Sequence, residues 1–76
     1  MSLRIPALRA NVVIRALERA GFVELHRTGS HAILRKQGHR RPVPVPVHSK
    51  ELSRRLILRI IKQAGLSNEE FLKLLK

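Results

Sequence analysis

Hydrophobic residues near the start of the chain recur at the spacing of an amphipathic helix, with charged residues between them. The apolar positions on one side are Val13, Ala16, Leu17 and Ala20. The spacing predicts a helix from about Arg9 to Ala20, which Gly21 ends in the usual carboxyl-terminal position. Residues 1–8 carry no clear pattern and are a candidate for poor order.

Three extended segments follow the first helix, with the sequences FVELHR, SHAILRK and RPVPVPVH. The joints between them, Thr28-Gly29 and Gln37-Gly38, are typical of hairpins. If Thr28-Gly29 forms a two-residue turn, His26 lies directly opposite His31, with Cβ atoms ~5 Å apart.

The alternation of proline and valine in the third segment has two interpretations. One is a polyproline helix offered to an aromatic groove. The other, which we favour, is an edge strand. Pro42, Pro44 and Pro46 would remove amide donors from its outer edge alone, while the intervening valines keep theirs.

The valines then predict which face of the sheet the helices cover. If they face the helices, so do Ala32 with Leu34 and Val23 with Leu25. The opposite, open face holds the three prolines and Glu24, His26, His31, Ile33 and Arg35.

Helical spacing returns after Lys50, with an apolar face made of Leu56, Ile57, Ile60, Ile61 and Ala64. Gly65 ends that helix. Ser67 and Glu70 have the spacing of a capping box for a last helix, which would bury Phe71, Leu72, Leu74 and Leu75. The predicted fold is α+β, in the order α-β-β-β-α-α, as a single domain over residues 1–76.

The net charge restricts the possible classes of function more than any other feature of the composition. Sixteen Lys and Arg residues against five acidic residues give a formal net charge of +11. Such an excess predicts a polyanionic partner, either nucleic acid or an acidic protein, and a merely solvated basic surface is the alternative. The sequence has no secretory signal and no apolar run of membrane-spanning length, so we expect a cytoplasmic protein that does not bind membranes.

Several chemistries fit the sequence poorly. It has no Cys and no Asp, its glutamates are scattered, and its four histidines lack metal-ligand spacing, so we expect no metal and no cofactor. Two phenylalanines offer little for base stacking. Catalysis by histidine, with arginine as a phosphate-binding group, is the chemistry that remains. RNA supplies its own 2′-hydroxyl nucleophile, histidine moves protons near neutral pH, and arginine neutralises phosphate charge.

Three stretches carry a family resemblance: ERAGFVELHRTGSHAILRK, RPVPVPVHSKEL and IIKQAGLSNEEFLKLL. Together, from roughly Arg9 to Leu75, they resemble the HicA (YcfA-like) toxins of bacterial and archaeal toxin–antitoxin pairs. The resemblance implies a fold like that of the double-stranded-RNA-binding domain, with helices on one face of a three-stranded antiparallel sheet. It also implies metal-independent endoribonuclease activity on messenger RNA, and a HicB-type antitoxin that blocks the site.

The catalytic histidine implied by the GSH motif falls on His31. The family often opens the helix after the third strand with Gly-Thr, and this chain has Arg55-Leu56 there, so Ser53 is expected to cap the helix instead. Many members carry a bulky or polar residue where Ala32 stands. His26 as a second acid/base group follows from the inferred register and not from the resemblance.

A set of residues is expected to contact RNA. Arg54 and Arg55 would add charge to a helix amino terminus. Gly29 is expected to adopt a positive φ, and Ser30 either bonds within the turn or donates to phosphate. The remaining cations, expected nearer His31, are Arg27, Arg35, Lys36, Arg40, Arg41 and Lys50. The rivals to an RNA-cleaving toxin are a non-catalytic double-stranded-RNA-binding module and a structural protein associated with the ribosome.

Overall fold

Three helices and three strands follow one another in the predicted order α-β-β-β-α-α. The computed structural model describes residues 4–48 and 50–76. The elements are α1 (Ala10–Arg19), β1 (Val23–Thr28), β2 (His31–Arg35), β3 (Val43–Pro46), α2 (Arg54–Gln63) and α3 (Asn68–Leu74). The strands form an antiparallel sheet in the order β1-β2-β3, with α1 and α2 packed against it and α3 packed against both helices. This is an α+β fold like that of the double-stranded-RNA-binding domain.

The first helix ends where the glycine signal placed its end. Gly21 has a φ of 103°, a left-handed conformation that glycine adopts without strain. The Phe22 amide donates to the Leu17 carbonyl at 3.0 Å, which satisfies one of the last helical carbonyls. The chain then enters β1 in the direction opposite to α1.

The proline-valine segment is an edge strand, as predicted. Val43 pairs with Leu34 and Val45 with Ala32, and these four side chains are fully buried beneath the helices. Pro44 pairs with Ile33 on the other face of the sheet. Because β3 is outermost and alternate residues direct their amides outwards, the prolines remove donors from the edge that no strand covers.

The first hairpin turns one residue later than predicted. Thr28 pairs with His31, so the two turn residues are Gly29 and Ser30. Gly29 has the predicted positive φ, 52°, and no non-glycine residue of the described chain has one. A type I′ turn at Thr28-Gly29 needs a positive φ at both central residues. Thr28 is β-branched, so a positive φ there would be strained.

A bulge in β1 overturns the predicted orientation of its first half. The register shifts between Glu24 and His26, so that Glu24 pairs with Leu34 and Val23 with Arg35. Val23 and Leu25, expected beneath the helices, are 59% and 56% exposed. Glu24, expected on the open face, instead shares the helix-covered face with Leu34 and is half-buried.

The segment before α1 joins the core although its sequence shows no periodicity. Ile5 is 1% exposed, and Leu8 forms an isolated antiparallel bridge with Leu52. The Leu52 amide donates to the Leu8 carbonyl at 2.7 Å. This bridge brings the starts of α1 and α2 to the same end of the molecule.

The second and third helices begin with serine caps. The Ser53 hydroxyl accepts from the Leu56 amide at 3.2 Å, which confirms Ser53 as the cap of α2. The Ser67 hydroxyl accepts from the Glu70 amide at 3.0 Å, and the Glu70 carboxylate accepts from the Ser67 amide at 2.8 Å, completing the predicted capping box. Of the four apolar residues expected to be buried by the last helix, Phe71 is buried, while Leu72, Leu74 and Leu75 are half-buried.

We expect Ser67→Ala to lower the free energy of unfolding by about 1 kcal/mol, because the Glu70 amide loses its acceptor. Chemical denaturation monitored by circular dichroism measures the change. Asn68→Ala, one residue further along, is the matched control and should change stability by less than about 0.5 kcal/mol. Equal losses in both variants would contradict a specific role for the cap.

The pKa of Glu70 is lowered from its ordinary value of 4.5, first by the backbone hydrogen bond from Ser67 and then by the Ser67 hydroxyl. A lowered pKa in the folded state stabilises the protein above the unfolded pKa, and this stabilisation disappears as the pH falls through the folded pKa. Glu70→Ala should therefore have a lower thermal midpoint than wild type at pH 7. The gap should narrow below about pH 4.5, and a constant gap would show that charge is not involved.

Candidate functional site

His31 is the first residue of the central strand and lies on the face that the helices leave open. Its cross-strand neighbours are Thr28 on β1 and Pro46 on β3. The His31 side chain is exposed, whereas its chain neighbour Ala32 is fully buried. The backbone of His31 is therefore held by a strand on each side while its imidazole faces solvent, an arrangement suited to a positioned acid or base.

Ser30, the second residue of the turn, contacts one ring nitrogen of His31. The Ser30 hydroxyl lies 3.3 Å from His31 Nδ1, so Ser30 makes a local contact within the turn region. The Val47 amide donates to the Ser30 carbonyl at 2.6 Å and fastens the turn to the end of β3. A Cβ placed on Gly29 would meet nothing within 4 Å, so Gly29 serves backbone conformation, and the surface beside it is open.

His26 lies on the same open face but not directly opposite His31. It pairs with Ile33, which makes it the diagonal neighbour of His31 across the β1–β2 ladder. Diagonal neighbours in such a ladder are separated by roughly 7 Å. The predicted direct pairing is wrong because the turn lies one residue later, although the two imidazoles do share a face.

Three exposed cations lie on the segment that leads from β3 to α2, which leaves the sheet at the end where His31 lies. β3 ends at Pro46, opposite His31, and the chain then passes Lys50 to the start of α2, where Arg54 and Arg55 lie. All three cationic side chains are exposed. Because α2 begins at this end, its amino-terminal dipole adds to their positive charge.

Three of the predicted contact residues lie at the far end of the sheet. Lys36, Arg40 and Arg41 belong to the loop between β2 and β3, which joins the strand ends remote from His31. Their expected proximity to His31 is therefore wrong. Arg35 lies on the face of His31, but four residues along the strand, roughly 13 Å away.

Arg27 is already engaged within its own strand. Its Nε donates to the Glu24 carboxylate at 2.8 Å, and its second guanidinium contact to Glu24 is 3.2 Å long. Arg27 pairs with Ala32 across the ladder, on the face opposite that of His31. The guanidinium hydrogen bond lowers the pKa of Glu24 below its ordinary value. One of the few carboxylates thus offsets the charge of the cation nearest the turn.

His39 has a structural role that sequence did not reveal. Its Nε2 lies 2.8 Å from the carbonyl of Gln63, at the end of α2. Since a carbonyl only accepts, this Nε2 carries the proton. The ring also meets Phe22 edge-on, with centroids 5.3 Å apart and planes at 71°. His39 thereby joins the β2–β3 loop to the end of α2 and to Phe22, in the connection between α1 and β1.

The described residues, 4–48 and 50–76, hold neither a metal-binding cluster nor a membrane-spanning helix. No group of three or more His, Cys, Asp or Glu side chains in that part of the chain is arranged to hold a metal ion. None of its helices is both long and apolar enough to cross a membrane.

The fold and the exposed histidine define a small, strongly basic α+β protein of the double-stranded-RNA-binding-domain type. A scan against protein-family models matches the HicA toxin of bacterial toxin–antitoxin systems over residues 10–66. The chain belongs to the HicA toxin family, and its membership implies an antitoxin partner. A search of the curated proteins found no match.

We expect His39→Ala to lower the free energy of unfolding by about 1–3 kcal/mol, because a hydrogen bond and an aromatic contact are both lost. Urea denaturation measures the loss. His48→Ala, in which an exposed histidine is removed, is the matched control and should remain within about 0.5 kcal/mol of wild type. If His39→Ala is as stable as wild type, the His39 ring does not contribute to holding the β2–β3 loop in place.

Proposed function

We propose that the chain is an endoribonuclease toxin that cleaves messenger RNA without a metal and thereby inhibits translation. The observation that carries the proposal is the exposed imidazole of His31, whose backbone is held between two strands at the end of the sheet from which the segment with Lys50, Arg54 and Arg55 departs. The scarcity of carboxylates supports a mechanism that uses histidine and arginine.

The proposed reaction uses the ribose 2′-oxygen as its nucleophile. A new bond forms from that oxygen to phosphorus, and the bond from phosphorus to the 5′-oxygen breaks. One group takes the 2′-proton, another gives a proton to the leaving oxygen, and the products carry a 2′,3′-cyclic phosphate and a 5′-hydroxyl. The Ser30 contact engages Nδ1 of His31, so we assign the proton transfer to Nε2.

His26 is our candidate for the second acid/base group. It is the diagonal neighbour of His31 on the same face, so both imidazoles could reach one bound phosphodiester from different sides. DNA lacks the 2′-hydroxyl and would resist the same site.

The cations would bind phosphates in two regions. Lys50, Arg54 and Arg55 would hold the scissile region, together with Gly29 and Ser30 of the turn. Arg27 would contribute once Glu24 is displaced or shared. Arg35, Lys36, Arg40 and Arg41 would contact more distant nucleotides, since they lie along and beyond the sheet. Duplex-like RNA can be recognised through phosphates and 2′-hydroxyls, which needs few aromatic residues.

We further propose that the antitoxin is of the HicB type and that the toxin acts in the cytoplasm, where both mRNA and the antitoxin would be found. A non-catalytic double-stranded-RNA-binding module is the alternative, favoured by the same fold and the same basic surface.

The test incubates the purified chain with RNA in excess EDTA and compares wild type with His31→Ala. Wild type should cleave at an unchanged rate in EDTA, and the variant should lose about 10²–10⁴-fold in rate, since it lacks a positioned acid or base. RNA binding, measured by filter retention, should stay within about threefold because the cationic residues remain.

His26→Ala should lose activity by a smaller factor and abolish one limb of the pH–rate profile. Wild type that binds RNA but never cleaves it would favour the module. Cleavage that survives deletion of the His31 ring would end the proposed mechanism. If EDTA abolishes RNA cleavage by wild type, the reaction requires a metal.

A further inference from the structure

Two large aliphatic side chains, two residues apart on β1, are exposed on a protein of net charge +11. Val23 is 59% exposed and Leu25 is 56% exposed; Val23 precedes the bulge in β1, and Leu25 lies within it. Among the described residues, the other exposed large hydrophobic side chain is Val12 on α1, at 38%. Paired exposure of this kind marks an interaction surface more often than isolated exposure does.

The bulge is the reason these side chains point outwards. Val23 pairs with Arg35, which shares the open face with His31 and Ile33. The half-buried Ile33 and Pro44 form the next row of that face, so apolar surface runs from Val23 towards the middle strand. We name Val23, Leu25, Ile33 and Pro44 the apolar stripe. It runs from the end of the sheet remote from His31 to the row of Ile33, which also contains His26 and lies next to the row of His31.

RNA is a poor match for the apolar stripe. Nucleic acid binds through phosphates and stacked bases, and an aliphatic side chain offers it neither charge nor an aromatic face. A second copy of the chain is also disfavoured, because pairing two stripes would bring two Arg35 side chains and two domains of charge +11 together. An acidic protein with an apolar centre fits both the stripe and its basic border.

We propose that the antitoxin docks on the apolar stripe, with apolar side chains over Val23 and Leu25 and carboxylates facing Arg35 and Lys36. Docking there would cover the open face of the sheet and deny RNA access to His31. The inference rests on the family's antitoxin partner and refines the partner of the proposed function, but it does not depend on RNA cleavage. Contacts that hold the antitoxin are thus separable from groups that cleave RNA.

The experiment uses the 76-residue chain and the purified antitoxin that neutralises it. Affinity is measured by calorimetry in a His31→Ala background, so that toxicity does not limit expression. Val23→Thr with Leu25→Thr places a β-branched side chain suited to a strand at both positions while removing apolar surface, and should raise the Kd about tenfold or more. Val12→Thr is the matched control on α1 and should leave the Kd within about twofold.

A second pair of variants separates apolar contact from charge. Val23→Lys with Leu25→Lys adds positive charge, which would strengthen binding if attraction to an acidic partner were the whole interaction. We expect it to weaken binding more than the threonine pair does. Circular dichroism of each variant verifies the fold.

The outcomes distinguish this inference from the proposed activity. Threonine-pair toxin that cleaves RNA at the wild-type rate but escapes antitoxin neutralisation supports the inference. Unchanged antitoxin affinity, or tighter binding of the lysine pair, overturns it. Loss of RNA cleavage with antitoxin binding intact would assign the stripe to RNA and also overturn it. If the chain never cleaves RNA, the affinity comparison still decides the docking surface.

Discussion

The turn at Gly29 and Ser30 sets the register in which the candidate histidines of the sheet, His26 and His31, lie. Glycine alone accommodates the positive φ at the first turn position without strain, so the turn starts there and Thr28 pairs with His31. Had the turn formed one residue earlier, His26 would oppose His31 directly. The observed register instead separates the two imidazoles along the ladder and keeps both on the open face, because side-chain direction in a strand alternates with every residue.

Local signals in the sequence predict most of the fold. Gly21 ends a helix, Ser53 and Ser67 begin two others, and the prolines of β3 identify an edge strand, because each acts on backbone groups within a few residues of itself. Burial of Ile5 has no such signal. It depends on the long-range bridge between Leu8 and Leu52, which no periodicity encodes.

The bulge in β1 is where the prediction of faces fails, and the cause is physical. Val23 and Leu25 alternate with polar residues in the same way that buried strand residues do, so sequence assigns them to the core. The register shift instead places Glu24 on the helix-covered face, where its carboxylate bonds to Arg27. The cations also lie at both ends of the sheet. The end at which each cation lies depends on which loop carries it, and the charge pattern of the sequence does not show this.

Charge alone is a weak basis for choosing between RNA and an antitoxin. Both proposed partners would be attracted to a protein of charge +11, and at physiological salt exposed charges are screened beyond about 8 Å. An antitoxin that bound only through carboxylates would compete on equal terms with abundant cellular RNA. Apolar contact with Val23 and Leu25 would add free energy that RNA cannot gain and that salt does not screen. If the antitoxin docks there as we propose, the bulge that exposes these residues gives the toxin a means of distinguishing its inhibitor from RNA.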